Sequence, residues 1–161
     1  EIKAMRDRYV LKKIAVWIPA MAVVSIIIGL TLQNIEQTSN LTNSVRQTII
    51  ATAESNGFTR KQTIESWWSD PDLLRKGAHV FEFLCLGITT MFGVINSWDR
   101  KPIHISIAIC FGVSLLDQTV KTFVPGREFD WTDLPLDFFG YTVGLCLILL
   151  VYRRLTKVKK E

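Results

Sequence analysis

The sequence predicts an all-α membrane protein of four transmembrane helices, with an outer amphipathic helical segment between the first and the second. Three observations predict it. Hydrophobic residues make up 48% of the 161-residue chain, a high share for a small soluble domain. Four stretches meet or approach the roughly 20 apolar residues that a helix rising about 1.5 Å per residue needs to cross a hydrocarbon core about 30 Å thick. Basic residues gather beside those stretches and form no stripe along a soluble face. At this length a single domain over residues 1–161 is expected.

The first span, IAVWIPAMAVVSIIIGLTL (14–32), carries no charge and follows Lys12 and Lys13. Pro19 is expected to kink it without breaking it. A removed signal peptide is the competing reading of an apolar run near the start of a chain. The run exceeds the usual short apolar core and no small-residue cleavage pattern follows it, which favours the span. The second span is GAHVFEFLCLGITTMFGVI (77–95), the third IHISIAICFGVSLLDQTVKTFV (103–124) and the fourth LPLDFFGYTVGLCLILLV (134–151).

Residues 33–76 are the only long polar stretch. Leu41, Val45, Ile49 and Ala53 recur at helical spacing and lead to Gly57, the pattern of an amphipathic helix closed by a glycine. Thr59 and Gln62 have capping-box spacing ahead of a second short helix containing Ile64. Trp67 and Trp68 then fall where indole rings favour the headgroup region. The segment is expected to lie on the membrane surface, over the bundle.

The formal net charge of +4 reflects membrane orientation, so no nucleic-acid partner is expected. Lys3, Arg6, Arg8, Lys12 and Lys13 precede span one, Arg100 and Lys101 separate spans two and three, and Arg153, Arg154, Lys157, Lys159 and Lys160 follow span four. Four spans put these groups on one side, and the positive-inside rule makes that side the cytoplasm. A multi-pass plasma-membrane protein follows, with both termini inside and residues 33–76 and 125–133 outside. Cys85, Cys110 and Cys146 all fall within spans without CxxC spacing and are read as small buried side chains.

Charged residues concentrate at the outer ends of spans two to four. Arg75, His79 and Glu82 share one helix face at four- and three-residue spacing, with Lys76 beside them. Asp117 lies about 10 Å below the outer end of span three, a depth at which a carboxylate needs a partner and marks a functional site by default. The sequence leaves Lys121, His79 and Arg127 open as that partner. Pro125 and Gly126 stop the helix and leave Arg127 in the outer loop. Asp133 and Asp137 stand one turn apart at the start of span four, near the positive end of its dipole. Gly140 and Gly144 form a small-xxx-small pair, read as a close helix crossing. The inner halves of the spans are nearly free of polar side chains. Such one-sidedness suggests a pocket open toward the outer leaflet.

The segments LLRKGAHVFEFLCLG and LLDQTVKTFVPGREFDWTDLPLDFFGYTVG resemble those of the VanZ-like family of small membrane proteins, over about half the chain. The resemblance carries Arg75, Lys76, His79, Glu82, Asp117, Pro125, Gly126, Arg127, Asp133, Asp137, Gly140 and Gly144 onto the family pattern. Gln118 stands where the family often has Glu, and Lys121 where it often has Gln. The first change removes a carboxylate and the second adds a cation, which argues against carrying a metal site over. The family is linked to glycopeptide resistance, teicoplanin in particular, so the resemblance implies a physiological setting rather than a reaction.

Three readings of function follow. In the first, an outer-leaflet site binds or modifies an anionic lipid, a lipid-linked wall precursor or a lipoglycopeptide. His79, Glu82 and Asp117 are the proton-handling or catalytic candidates. Arg75, Lys76, Lys121, Arg127, Asp133 and Asp137 are the binding candidates, because guanidinium groups pair bidentately with phosphate and carboxylate. In the second, the chain is a non-catalytic factor that shields a wall component or a partner, and the polar cluster is an ion-pair lattice fixing the bundle. In the third, a metal held by His79, Glu82, Asp117 and Asp137 supports hydrolysis; the ligand types are acceptable, and the nearby cations and Gln118 weigh against it, so the cofactor is left unassigned.

Overall fold

The computed structural model describes residues 11–66, 69–98 and 102–158. Among the described residues its principal helices are α1 (Ile18–Thr31), α2 (Ile35–Ser55), α3 (Arg60–Ile64), α4 (Pro71–Ser97), α5 (Ile103–Lys121) and α6 (Asp133–Val158). There is no strand among the described residues. Four helical segments are long and apolar enough to cross a membrane: Leu11–Thr31, Pro71–Ser97, Ile103–Lys121 and Asp133–Lys157. The protein is therefore a multi-pass membrane protein. Its lipid-facing surface is apolar by composition, as Met21, Ile26, Phe81, Phe92, Phe111, Leu147 and Leu150 are all exposed from the bundle.

Each boundary has a local cause. Pro19 cannot donate to the carbonyl four residues back, and the helix of residues 11–15 tightens at 16–17, where Trp17 N–H reaches Ile14 O at 2.9 Å, before α1 resumes. The second span begins at Pro71, earlier than the expected 77, because Asp70 caps it: its carboxylate accepts from the Asp72 N–H at 2.8 Å with Pro71 in the first turn. Arg75 and Lys76 are thus helical. The third span stops at Lys121, three residues short of the expected end, and Gly126 takes the left-handed conformation (φ 79°) that turns the chain back.

The segment between spans one and two is helical as expected, with its packed face rotated. An Asn34–Gln37 capping box starts α2, with Gln37 N–H to Asn34 Oδ1 at 2.8 Å. Gly57 (φ 91°) ends it, with Phe58 N–H bonded to Ala53 O at 3.1 Å. Ile50 and Ala53 are buried, whereas Leu41 and Val45 are exposed; the helix packs through Thr42, Arg46 and Ile50. Arg46 Nε donates to Ser69 O at 2.9 Å and ties α2 to the approach to α4. The Thr59–Gln62 box appears at the start of α3, with Thr59 N–H to Gln62 Oε1 at 3.2 Å. The expected headgroup anchors Trp67 and Trp68 lie outside the described residues, as do Lys3, Arg6, Arg8, Arg100, Lys101, Lys159 and Lys160.

The core is small: Ile27, Phe83, Leu86, Met91, Cys110, Tyr141 and Leu145. Helices α4 and α6 run parallel and form the principal contact. A Cβ at Gly140 would lie 2.5 Å from Val80 O, and one at Gly144 would lie 2.9 Å from Ile88 N, so backbone touches backbone along this line. At the far end, Trp17 Nε1 donates to Ser97 Oγ at 2.9 Å and the Trp17 ring meets Trp98 edge to face. That half is less apolar than expected. Thr90 and Ser106 are fully buried there, Thr90 bonding Leu86 O and contacting Cys110 Sγ, Ser106 donating to Met91 Sδ. All are uncharged. Among the three cysteines, Cys110 is buried as expected, Cys85 is half-buried and Cys146 is exposed.

Candidate functional site

The glycine contact sets the register of the polar end. Asp133, Asp137, Gly140 and Gly144 share one face of α6, so packing Gly140 and Gly144 against Val80–Ile88 places Asp137 beside His79. Helix α5 presents its own polar stripe to the same point: Ser114, Asp117, Gln118 and Lys121 are all buried.

Lys121 is the hub. Its ammonium lies 3.1 Å from Asp117 Oδ2, 2.9 Å from Asp133 Oδ2 and 3.3 Å from His79 Nε2, so its three donors have three acceptors. Asp117 has further partners in the Thr31 hydroxyl and in Gln118 Nε2 at 3.3 Å. Asp137 accepts from Ser114 Oγ at 2.7 Å through Oδ2. Its other oxygen, Oδ1, faces His79 Nδ1 at 3.6 Å, and these two atoms are buried without a hydrogen-bond partner. The imidazole is therefore gripped between a carboxylate on its Nδ1 side and the Lys121–Asp133 pair on its Nε2 side. This arrangement favours the tautomer that keeps the proton on Nδ1 and offers the Nε2 lone pair.

The loop after α5 closes over this cluster. Arg127 donates to Thr31 O at 3.0 Å and to Thr38 Oγ1 at 2.6 Å. Both acceptors are neutral, and no carboxylate lies within ion-pair distance of it among the described residues, which leaves its charge available. Desolvation pulls the Arg127 guanidinium below its usual range, opposed by Asp117. The Asp130 N–H reaches Gln118 Oε1 at 3.3 Å, and Asp130 Oδ1 accepts from the Thr132 hydroxyl and N–H at 2.7 and 2.9 Å. Those bonds hold the Asp130 carboxyl below the ordinary carboxylate range.

Two cavities meet here. A polar one of about 660 Å³ lies between α2, the start of α4 and the 126–133 loop. A smaller one of about 150 Å³ has Leu30, Leu41, Val45, Leu74 and Ala78 in its lining together with Glu82 and the groups it shares with the first. They share Thr38, Thr42, Arg75, His79, Lys121 and Arg127 as a common wall.

The structure brings Arg75, His79, Lys121, Arg127 and Asp133 to the polar cavity and places Asp117 and Asp137 beneath them, fully buried. Lys121 and not Arg127 or His79 is the ion-pair partner of Asp117. Glu82 lines the apolar cavity and makes no hydrogen bond or ion pair among the described residues, so Asp137 stands in the orienting place next to His79. Lys76 lines neither cavity. Arg75 is half-exposed and only 3.9 Å from Asp72 on its own helix. Thr31, Thr38, Ser114 and Asp130 were not among the expected site residues. Ser114 was legible, since Ser106, Cys110, Ser114, Asp117 and Lys121 recur on one face of α5; Thr31 and Thr38 carry no such signal. No group of three or more His, Cys, Asp or Glu among the described residues converges on a metal position.

Fold and site together define a four-span helical membrane protein with a charged, lysine-centred cluster at one end. A family model, VanZ/LLP1, matches residues 16–152, and the chain belongs to that family, as the resemblance implied. No curated protein and no solved structure matches it.

Proposed function

We propose that the chain receives the anionic head group of a membrane amphiphile at the outer leaflet, a lipid-linked wall precursor being the substrate class in view, and thereby lowers susceptibility to glycopeptides that anchor in that leaflet. The observation that carries this reading is the shared wall of the two cavities. A polar chamber with two guanidinium groups, Arg75 and Arg127, adjoins an apolar groove, which is the division an amphiphile requires. The orientation rests on Lys12, Lys13, Arg153, Arg154 and Lys157, all at the end of the bundle away from the cavities. The family setting supports the link to teicoplanin.

The test is teicoplanin susceptibility of a sensitive host expressing wild type, His79→Ala, Asp117→Asn or Arg127→Ala at matched membrane levels. Loss of protection in all three, with folding intact, is the expected result. Protection equal to wild type in all three would reduce the cluster to a structural lattice and move attention to α2.

A further inference from the structure

We infer that the chain hydrolyses the terminal phosphate of a lipid-linked phosphate, with His79 Nε2 as the nucleophile, Lys121 as the proton donor and Asp137 as the positioning residue. This rests on the proposed binding of an anionic amphiphile and adds a reaction to it.

Four observations converge. His79 is at the wall common to both cavities, where the head group of an amphiphile must cross from groove to chamber. Its Nδ1 is buried against Asp137 Oδ1 with no other partner for either atom. A carboxylate held there keeps the ring in one tautomer and offsets the charge of an imidazolium, which a histidine taking a phosphoryl group requires. On the opposite edge, Nε2 accepts from Lys121 at 3.3 Å, so the nucleophilic lone pair and an acidic proton sit side by side. Arg75 and Arg127 flank the chamber, and Arg127 has only neutral acceptors, which suits it to the non-bridging oxygens of a phosphoryl group.

The Lys121 N–H turns from Nε2 to the lipid oxygen, and the freed Nε2 lone pair attacks phosphorus as the bond from phosphorus to that oxygen breaks. Lys121 passes a proton to that oxygen and becomes the neutral amine. The Nδ1 proton stays on the ring, whose positive charge Asp137 offsets. Water then attacks the phosphohistidine, its proton returns to Lys121, the P–N bond breaks and inorganic phosphate leaves. No oxidant, reductant or nucleotide is consumed. The leaving oxygen can belong to a lipid alcohol or a lipid phosphate, and the probes below separate the two.

The experiment uses the full chain in phosphatidylcholine nanodiscs with farnesyl phosphate and farnesyl diphosphate, measuring bound probe and released inorganic phosphate separately. Wild type is expected to bind and to release phosphate from at least one probe, and a denaturing quench to trap acid-labile phosphate on His79. His79→Gln should keep binding and lose release by at least about 100-fold. Asp137→Asn should lower kcat with little change in KM; Ser114→Ala, which removes only the bond that holds Asp137 Oδ2, should do the same to a smaller degree if the first variant fails to fold. Binding of both probes without release overturns the phosphoryl transfer and leaves the binding reading standing. No binding of either probe overturns both. Release that survives in His79→Gln, or turnover without labelled His79, overturns the nucleophile.

Discussion

Helix α4 makes two contacts of opposite character. Along Val80–Ile88 it meets the glycines of α6, and backbone approaches backbone; polar side chains enter this contact only at its outer end, where His79 faces Asp133 and Asp137. Against α5 it meets Ser106, Cys110 and Lys121, on a buried face that also carries Ser114, Asp117 and Gln118 and no large aliphatic residue. The first contact is held by close packing, which is what drives helix association in lipid. The second buries groups that are costly to desolvate and tolerable only when every partner is present. The difference assigns tasks: the α4–α6 seam fixes the register, and the α5 face carries the chemistry that the register aligns.

The largest expected effect breaks the second contact. Lys121→Met leaves Asp117 and Asp133 buried without their cation and should cost about 3–5 kcal/mol, read as loss of resistance to unfolding in mixed micelles. Adding Asp117→Asn and Asp133→Asn to that variant should recover most of it. A triple variant no more stable than the single one would deny that the cost is electrostatic. Next, Gly144→Ala places a methyl against the Leu84 carbonyl and Ile88 N and should cost about 1–3 kcal/mol. It should also separate a cysteine pair substituted at His79 and Asp137, so that cross-linking by a short reagent slows. Unchanged cross-linking would uncouple the seam from the site. At the far end, Trp17→Phe removes the neutral hydrogen bond to Ser97 and part of the ring packed on Gly93 and Trp98 and should cost about 1–2 kcal/mol with no change in lipid-phosphate binding. The smallest effect concerns the loop. Thr132→Ala removes the hydroxyl bond to Asp130 and should raise that carboxyl toward the ordinary range in an NMR titration. Because the native value is depressed, the stabilisation from this bond is present at neutral pH and lost as pH falls through the native value. A titration curve identical to wild type would show that the backbone N–H alone sets it.

Much of this was legible before any coordinates. Length and hydropathy are enough for four spans, because lipid admits few alternatives to a helix. The i, i+3 and i, i+4 spacing on spans two and four correctly grouped Arg75 with His79 and Asp133 with Asp137. The pairing of Asp117 was not legible, since it depends on the rotation of α5 about its axis relative to three neighbours. Nor was the exchange of Glu82 for Asp137 beside His79: Glu82 stands one turn from it on the same helix, whereas Asp137 comes from α6 and is brought there by the glycine seam. The rotation of α2 by about one residue escaped for a related reason. Its exposed Leu41 and Val45 line the apolar cavity, so the hydrophobic stripe marks a lined space and not the packed face.

The residues 127–130 are fastened to one buried carboxylate by two independent routes. Arg127 reaches it through Thr31, whose carbonyl accepts from the guanidinium and whose hydroxyl bonds Asp117. Asp130 reaches it through the Gln118 amide, which spans from the Asp130 N–H to Asp117 Oδ2. A segment pinned at both ends to the same anchor cannot peel from either side without a second bond breaking. Backbone amides there should consequently exchange with solvent deuterium on the slow clock of the bundle, although they belong to a connecting loop.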